Sequence, residues 1–424
     1  MTIAAVEPTE TLKGEMCAPP SKSYTHRAII AASLAEGRSH IRSPLYADDT
    51  IVTIEACKSF GVSIIQSETE LNITGSSELK TPAKGIDCGD SASTIRFLTP
   101  VAALTRGRTV LDGSAGLRRR PIGPLVNALG KLGVQCTSNN GFPPVTVFGG
   151  GLRGGRTSLV GDVSSQFVTG LLFACPLAEG DTEVVLTTPL ESKPYVRLTI
   201  AILRSHGIEV DASRGLRRFN IPGKQRYMSR DHEVPGDFSA AAFLLAAAAM
   251  TNSDVVVKGL SLNQPDSEIV NILAKMGASV EVKGDSVRVS SRKLRGIDID
   301  ARDIPDLVPI CAALACVSEG TTHIFGAKRL RIKESDRLSA ISSELLKMGG
   351  YVVEEAEELI IKGPSVLYGA TIDPHGDHRI AMACAIAGLR ARGKTKILEA
   401  ECVDKSYPGF FEDLERLGAK VHVG

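Results

Sequence analysis

The chain contains no tryptophan, and aromatic residues make up only 4% of it. Proteins that hold single-stranded nucleic acid stack bases on aromatic rings, so this composition disfavours that class of ligand. Charge of one sign is not in excess either: 49 Lys and Arg stand against 48 Asp and Glu, a formal net charge of +1. That argues against a general cationic footprint for nucleic acid, and any cationic site must come from local clustering. Long apolar runs are missing too. The longest, Ala240–Met250, has 11 residues, too short to cross a bilayer, so no membrane association is expected. Residues 1–15 carry three Glu and no apolar run, unlike a signal or transit peptide. The nine cysteines (Cys17, Cys57, Cys88, Cys136, Cys175, Cys311, Cys316, Cys384 and Cys402) form no C-x-x-C pair and are odd in number. A disulfide framework and a zinc site are both disfavoured, and a reducing, cytoplasmic setting is expected.

What is present is a repeat. The chain's 424 residues exceed one ordinary core, so two domains are the starting expectation. Six times a helix-like segment ends in glycine and runs into a strand-like one, at Gly61, Gly133, Gly207, Gly277, Gly349 and Gly418, spaced 72, 74, 70, 72 and 69 residues apart. Each glycine suits the left-handed residue that ends a helix. A second marker precedes each, a turn entering a strand: Gly37-Arg-Ser-His-Ile, Gly107-Arg-Thr-Val-Leu, Gly180-Asp-Thr-Glu-Val, Asn252-Ser-Asp-Val, Gly320-Thr-Thr-His-Ile and Gly393-Lys-Thr-Lys-Ile. Each unit reads helix, strand, helix, strand, strand. The sixth stops at Val421-His-Val without its final strand, and the strand-like segment Thr2–Lys13 is expected to complete the C-terminal half. The fold class is therefore α/β with mixed sheets, in two domains of three β-α-β-α-β-β-type units. The domains are expected to be 19–235, and 1–18 with 236–424, with crossings near Pro19-Pro20 and Val234-Pro235-Gly236.

Two motif matches fail on context. Gly388-Leu-Arg-Ala-Arg-Gly-Lys-Thr395 fits a P-loop letter for letter, but a helix precedes it and a strand follows, the reverse of what phosphate cradling needs. Gly149–Gly154 fits the dinucleotide fingerprint but leads into the strand-like Thr157-Ser-Leu-Val.

Polar clusters gather at the expected helix starts. Ser21–Arg27, Gly89–Arg96, Ser164-Ser165-Gln166, Gly236–Ser239, Ile304-Pro305-Asp306 and Gly376–Arg379 open the first helices. Arg118–Pro121, Ser192–Tyr195, Lys333–Arg337 and Lys405–Pro408 lie near the second. Helix N-termini present unpaired N–H groups and partial positive charge, which suits anions. Arg forks and Lys ammoniums add recognition of phosphate and carboxylate. Singly, each cluster has a plainer reading: Ser21 or Ser23 as an N-cap, Arg118–Arg120 as an exposed charge run, Lys333, Glu334 and Arg337 as a helical salt-bridge ladder. Their joint occurrence at equivalent places favours a receptor for anions. His375, Asp377 and His378 lack a ligand set at metal spacing, and no metal or cofactor is expected.

Together these segments resemble the 5-enolpyruvylshikimate-3-phosphate synthase family over nearly the whole chain. The carriers are Pro20-Ser-Lys-Ser23, Arg120-Pro-Ile-Gly123, Ser164-Ser-Gln166, Ser192-Lys-Pro-Tyr195, Lys333-Glu-Ser-Asp-Arg337 and Asp377-His-Arg379. The resemblance implies the enolpyruvyl transferase fold and a metal-free transfer of the enolpyruvyl group of phosphoenolpyruvate to shikimate 3-phosphate, by a monomer, in the shikimate route to aromatic amino acids. It implies that Lys22, Ser23, Arg27, Ser164, Ser165, Gln166, Ser192, Tyr195, Asp306, Arg329 and Lys333 hold shikimate 3-phosphate. Lys22, Ala92, Arg120, Gln166, Arg337, Arg379 and Lys405 would hold phosphoenolpyruvate. Asp306 would accept the hydroxyl proton, Glu334 would protonate the methylene carbon, and Lys22 would assist at the phosphate oxygen. The two carboxylates are expected on different helices of one unit. Because Lys22, Arg120, Arg337 and Arg379 would repel one another, the free chain is expected to be open.

Three positions depart from the family pattern. Asp90 brings negative charge to the anion site, so neutralisation by Arg96 or a turn away is expected. Ala92 adds a methyl where glycine is usual, which is expected to weaken inhibition by glyphosate. Arg329 stands where the family has an asparagine. The competing readings are an enolpyruvyl transferase acting on a nucleotide sugar and a non-catalytic anion-binding protein.

Overall fold

The computed structural model describes residues 2–424. Contacts divide the chain into two compact units, Pro20–Val234 and the N-terminal segment up to Pro19 together with Pro235–Gly424. Each has its own apolar core.

The helices of the N-terminal half are α1 (Lys22–Leu34), α2 (Asp48–Ser59), α3 (Ala92–Ala102), α4 (Gly123–Lys131), α5 (Ser165–Ala174) and α6 (Lys193–Ser205). Those of the C-terminal half are α7 (Phe238–Met250), α8 (Ile269–Met276), α9 (Val308–Val317), α10 (Arg337–Lys347), α11 (His378–Gly388) and α12 (Phe410–Arg416). All six repeat glycines have left-handed backbone, with φ between 78° and 104°. A side chain there would meet the αL steric penalty, which explains the fixed glycine at each helix end. The apolar run Ala240–Met250 is the body of α7, buried at every residue. Among the described residues no helix is long and apolar enough to cross a membrane.

Each unit forms one mixed sheet. The second shows the plan: Ile86–Asp87 runs parallel to Arg108–Asp112, which pairs antiparallel with Phe142–Phe148, flanked in turn by Gln135–Asn139. In the sixth sheet Ala4–Val6 lies between Thr395–Ile397 and Val421–Val423, antiparallel to both, so the N-terminus supplies the missing last strand. The single strand expected over Thr2–Lys13 is corrected to two. Lys13–Cys17 is a separate strand, parallel to Asp254–Lys258, that completes the fourth sheet. The first sheet is completed in the same manner by Tyr227–Met228 and His232–Glu233, both parallel to Ala35–Arg42. Each half therefore closes by returning a distant segment to its first unit. The two rejected motifs sit as expected: α11 precedes Gly388–Thr395 and the strand Thr395–Ile397 ends it, and Gly149–Gly154 enters the strand Gly155–Leu159.

Candidate active site

In the N-terminal half three helices start on serine. Ser21, Ser91 and Ser164 cap α1, α3 and α5 by accepting from the N–H groups of Tyr24, Thr94 and Gln166, and none of these helices has an acidic residue in its first turn. No acidic side chain of their own first turns offsets their positive ends, which suits anion capture. Lys22 opens α1 and pairs with Asp49 of α2 at 3.0 Å. Ser23 accepts through its carbonyl from Arg27. Arg27 is buried, donates to Thr199 at 2.9 Å and lies over the Phe97 ring. Burial pulls its guanidinium down to about 10, with Tyr195 opposing, so it stays charged at neutral pH.

The N-terminus of α5 is tied to α3. Arg96 donates to the Gln166 side-chain oxygen at 2.9 Å and to the Ser164 hydroxyl, and also to the Pro121 carbonyl, while Gln166 Nε2 donates to Ser93. The two helices approach closely because Gly170 lacks a side chain: a Cβ there would stand 2.3 Å from the Arg96 carbonyl. Ser165 and Ala92, the first residues of α5 and α3, are buried. Ser192 caps α6 in left-handed backbone at φ 54°, a strained conformation of the kind that clusters at functional sites, and its carbonyl accepts from Tyr195. Of the three consecutive arginines only Arg120 is buried; Arg118 is exposed on Asp112 and Arg119 is also exposed. The turn Leu117–Arg119 and Pro121 delay the helix, so α4 begins only at Gly123. Asp90 is held by the Ser114 hydroxyl at 2.7 Å.

The C-terminal half concentrates charge instead. Its helices α7 and α11 are capped by carboxylates, Asp237 and Asp377. Arg337, with a side chain 1% exposed, donates to Asp306 at 2.7 Å, Glu334 at 2.8 Å and Asp377 at 2.7 Å. Arg379 approaches the other Asp306 oxygen at 3.2 Å, and Lys333 lies 4.0 Å from Asp306. Arg329 is buried and donates to the Arg302 carbonyl. Lys405 is buried at the end of the short turn Ala400–Lys405, which packs on α11. Burial pushes the Asp306 carboxyl up and Glu334 adds to it, but Arg379, Lys333 and Arg337 prevail and hold it well below the usual carboxylate range. Lys333 moves the other way. Burial, with Arg329 and Arg337, pushes its ammonium down to about 7 against the pull of Asp306 and Glu334.

Several expectations need correction. Asp306 and Glu334 stand ahead of α9 and α10 rather than on them, because the helices begin only at Val308 and Arg337. Lys333 and Glu334 therefore belong to no helical ladder. Lys22, Arg337 and Arg379 are not bare cations: each has a carboxylate partner within its own half. Two of the partners, Asp49 for Lys22 and Asp377 for Arg337, are not among the expected site residues. Asp49 gives no sequence signal, whereas Asp377 stands beside His378-Arg379 and reads as an N-cap.

The family model described as EPSP synthase (3-phosphoshikimate 1-carboxyvinyltransferase) matches residues 6–414. A 3-phosphoshikimate 1-carboxyvinyltransferase of Methanocella arvoryzae is 45% identical over 416 residues, 97% of each chain. That of Methanocaldococcus jannaschii is 42% identical over 430 residues, 100% of each chain. The solved structure of EPSP synthase from Acinetobacter baumannii superposes with a TM-score of 0.85 at 30% identity, covering 100% of both chains. With sixfold repeat, serine-capped helix ends and the Asp306–Glu334–Arg337 cluster all in place, the chain belongs to the EPSP synthase (3-phosphoshikimate 1-carboxyvinyltransferase) family.

Proposed function

We propose that this chain transfers the enolpyruvyl group of phosphoenolpyruvate to the 5-hydroxyl of shikimate 3-phosphate, releasing phosphate. The observation that carries the assignment of roles is the Arg337 guanidinium, which holds Asp306 and Glu334 side by side. A proton acceptor and a proton donor are thereby kept within reach of one small substrate.

Asp306 takes the hydroxyl proton as that oxygen attacks C2 of phosphoenolpyruvate, and Glu334 gives a proton to the methylene carbon. The product of this addition is a tetrahedral adduct carrying a methyl group. Glu334 then takes a methyl proton back, the C–O bond to phosphate breaks, and the leaving phosphate takes the proton held by Asp306. Lys22 offsets the charge on the departing oxygen. Arg120, Gln166, Arg337, Arg379 and Lys405, with the α3 end at Ala92, bind phosphoenolpyruvate. Ser23, Arg27, Ser164, Ser165, Gln166, Ser192, Tyr195, Arg329 and Lys333 bind shikimate 3-phosphate.

Asp306 is ionised in the free chain, as a base must be, yet its cationic neighbours make it a weak one. A substrate carboxylate on Arg337 and Arg379 neutralises those cations and restores the basicity of Asp306 when it is needed. Phosphate beside Lys333 likewise restores the charge that burial weakens. The reading implies a monomer in the cytoplasm, and the free thiols, most of them buried, fit a reducing compartment.

Phosphate release with phosphoenolpyruvate plus shikimate 3-phosphate tests the reading. Turnover with that pair and none with a nucleotide-sugar acceptor is the expected result. No phosphate from any acceptor, with binding intact, would leave an anion-binding protein.

A further inference from the structure

Glu344 lies two turns along α10 from Arg337 and takes no part in the reaction above. Its carboxylate is fully buried, and groups from Lys347, His375 and Asp373 converge on it. Lys347 donates to both oxygens, at 2.7 and 2.9 Å. His375 Nε2 is 3.0 Å from Oε1, and the Asp373 backbone N–H donates to Oε2 at 3.2 Å. Burying a carboxylate is costly unless it is paired and hydrogen-bonded, and here two of the partners come from the turn that leads into α11.

That turn is strained. His375 has φ 54° and Gly376 φ 66°, two consecutive left-handed residues of which only one is glycine. The His375 N–H is held by the Asp373 carboxylate at 2.7 Å. Immediately beyond, Asp377 accepts from Arg337 and from the Arg379 N–H, and Arg379 reaches Asp306. Helix α10 therefore grips the turn at two points, through Glu344 before it and through Arg337 after it. A left-handed non-glycine residue persists only when its surroundings over-determine it.

We infer that Glu344 and His375 are positioning residues: they brace the Asp373–Gly376 turn and so set Asp377 against Arg337 and Arg379 against Asp306. The inference rests on the assignment of Arg379 to phosphoenolpyruvate. Loss of the brace lets the start of α11 shift, which moves the Arg379 fork away from the carboxylate it receives. The effect falls on the affinity for phosphoenolpyruvate more than on that for shikimate 3-phosphate, whose proposed ligands lie mostly elsewhere.

His375→Asn separates brace from backbone, because asparagine tolerates left-handed geometry but is too short to keep the Glu344 contact. Expected is a melting temperature within a few degrees of the parent, a KM for phosphoenolpyruvate raised about tenfold, and a KM for shikimate 3-phosphate changed less than threefold. Glu344→Gln, which keeps an acceptor for His375, is expected to fall between the parent and His375→Asn. Arg379→Lys, measured alongside, tests the underlying assignment. If it leaves the KM for phosphoenolpyruvate unchanged, the site reading fails. If it raises that KM while His375→Asn does not, the brace alone is wrong.

Discussion

Removing the guanidinium of Arg337 would leave Asp306, Glu334 and Asp377 without their shared counter-charge, two of them nearly or wholly buried. Breaking a buried ionic cluster on one side costs about 3–5 kcal/mol, because uncompensated charge remains behind. Arg337→Met is therefore expected to lower unfolding stability by about that amount in urea titrations, besides abolishing turnover. Arg337→Asn at the same position would be equally damaging, whereas a loss below about 1 kcal/mol would mean that the cluster is solvated rather than buried. Much of this cluster was legible residue by residue, since Lys333-Glu-Ser-Asp-Arg337 and Asp377-His-Arg379 stand out as short dense runs. The pairing was not. Arg337 meets Asp306 across 31 residues and Asp377 across 40, and Lys22 meets Asp49 across 27. Such partnerships are set by how elements pack, within a unit or between neighbouring ones, which no local pattern records.

At the scale of helices and strands, the two halves offer anions different things: serine-capped helix ends in one, arginine and lysine balanced by carboxylates in the other. Ser164→Asp isolates the first contribution. Aspartate caps a helix about as well as serine, so folding should be unaffected, while the added negative charge opposes an incoming phosphate. A KM for shikimate 3-phosphate at least tenfold higher, with an unchanged melting temperature, is expected; an unchanged KM would remove the α5 end from the site. A second element-scale consequence lies where α1, α6 and the strand His232–Glu233 meet. Tyr24, His232 and His206 are linked in a chain, at 3.0 and 2.8 Å, that ends on the Met228 carbonyl at 2.7 Å. Burial lowers both rings, with Arg230 adding to the effect, and brings His232 to about 4. His232 is thus neutral in the folded chain above about pH 4, whereas in the unfolded chain it binds a proton below about pH 6.5, and His206 shifts in the same direction. The contribution of His232 is complete above that pH and is lost as pH falls toward 4, by roughly 2–3 kcal/mol at pH 4.5. Urea titrations at pH 7 and 4.5 should show this loss, and His232→Gln should reduce it. The strand Lys13–Cys17 shows why elements can be missed: Lys-Gly-Glu-Met-Cys lies on a sheet edge, is mostly exposed, and so carries no alternating apolar signal. The closing strands at Arg218–Ile221 and Val421–Val423 were legible because their alternation or their place in the repeat marks them.

For the whole molecule, the sixfold spacing of glycines was the feature that made two three-unit halves legible, since each Gly marks the same helix end in every unit. Closure of each half by a returning segment followed only partly, because pairing partners separated by some 200 residues or more leave no periodic trace. In the proposed reaction, Asp306 and Glu334 of this repeated scaffold move protons for enolpyruvyl transfer. Turnover in deuterium oxide, followed by NMR or mass analysis of the vinyl methylene of the product, tests it most directly. A transient methyl group built from a solvent-exchanged proton on Glu334 predicts deuterium in that methylene, and Glu334→Gln should turn over at least a hundredfold more slowly and with correspondingly less label. Product formed at the normal rate by the unmodified chain with no deuterium in the methylene would contradict it.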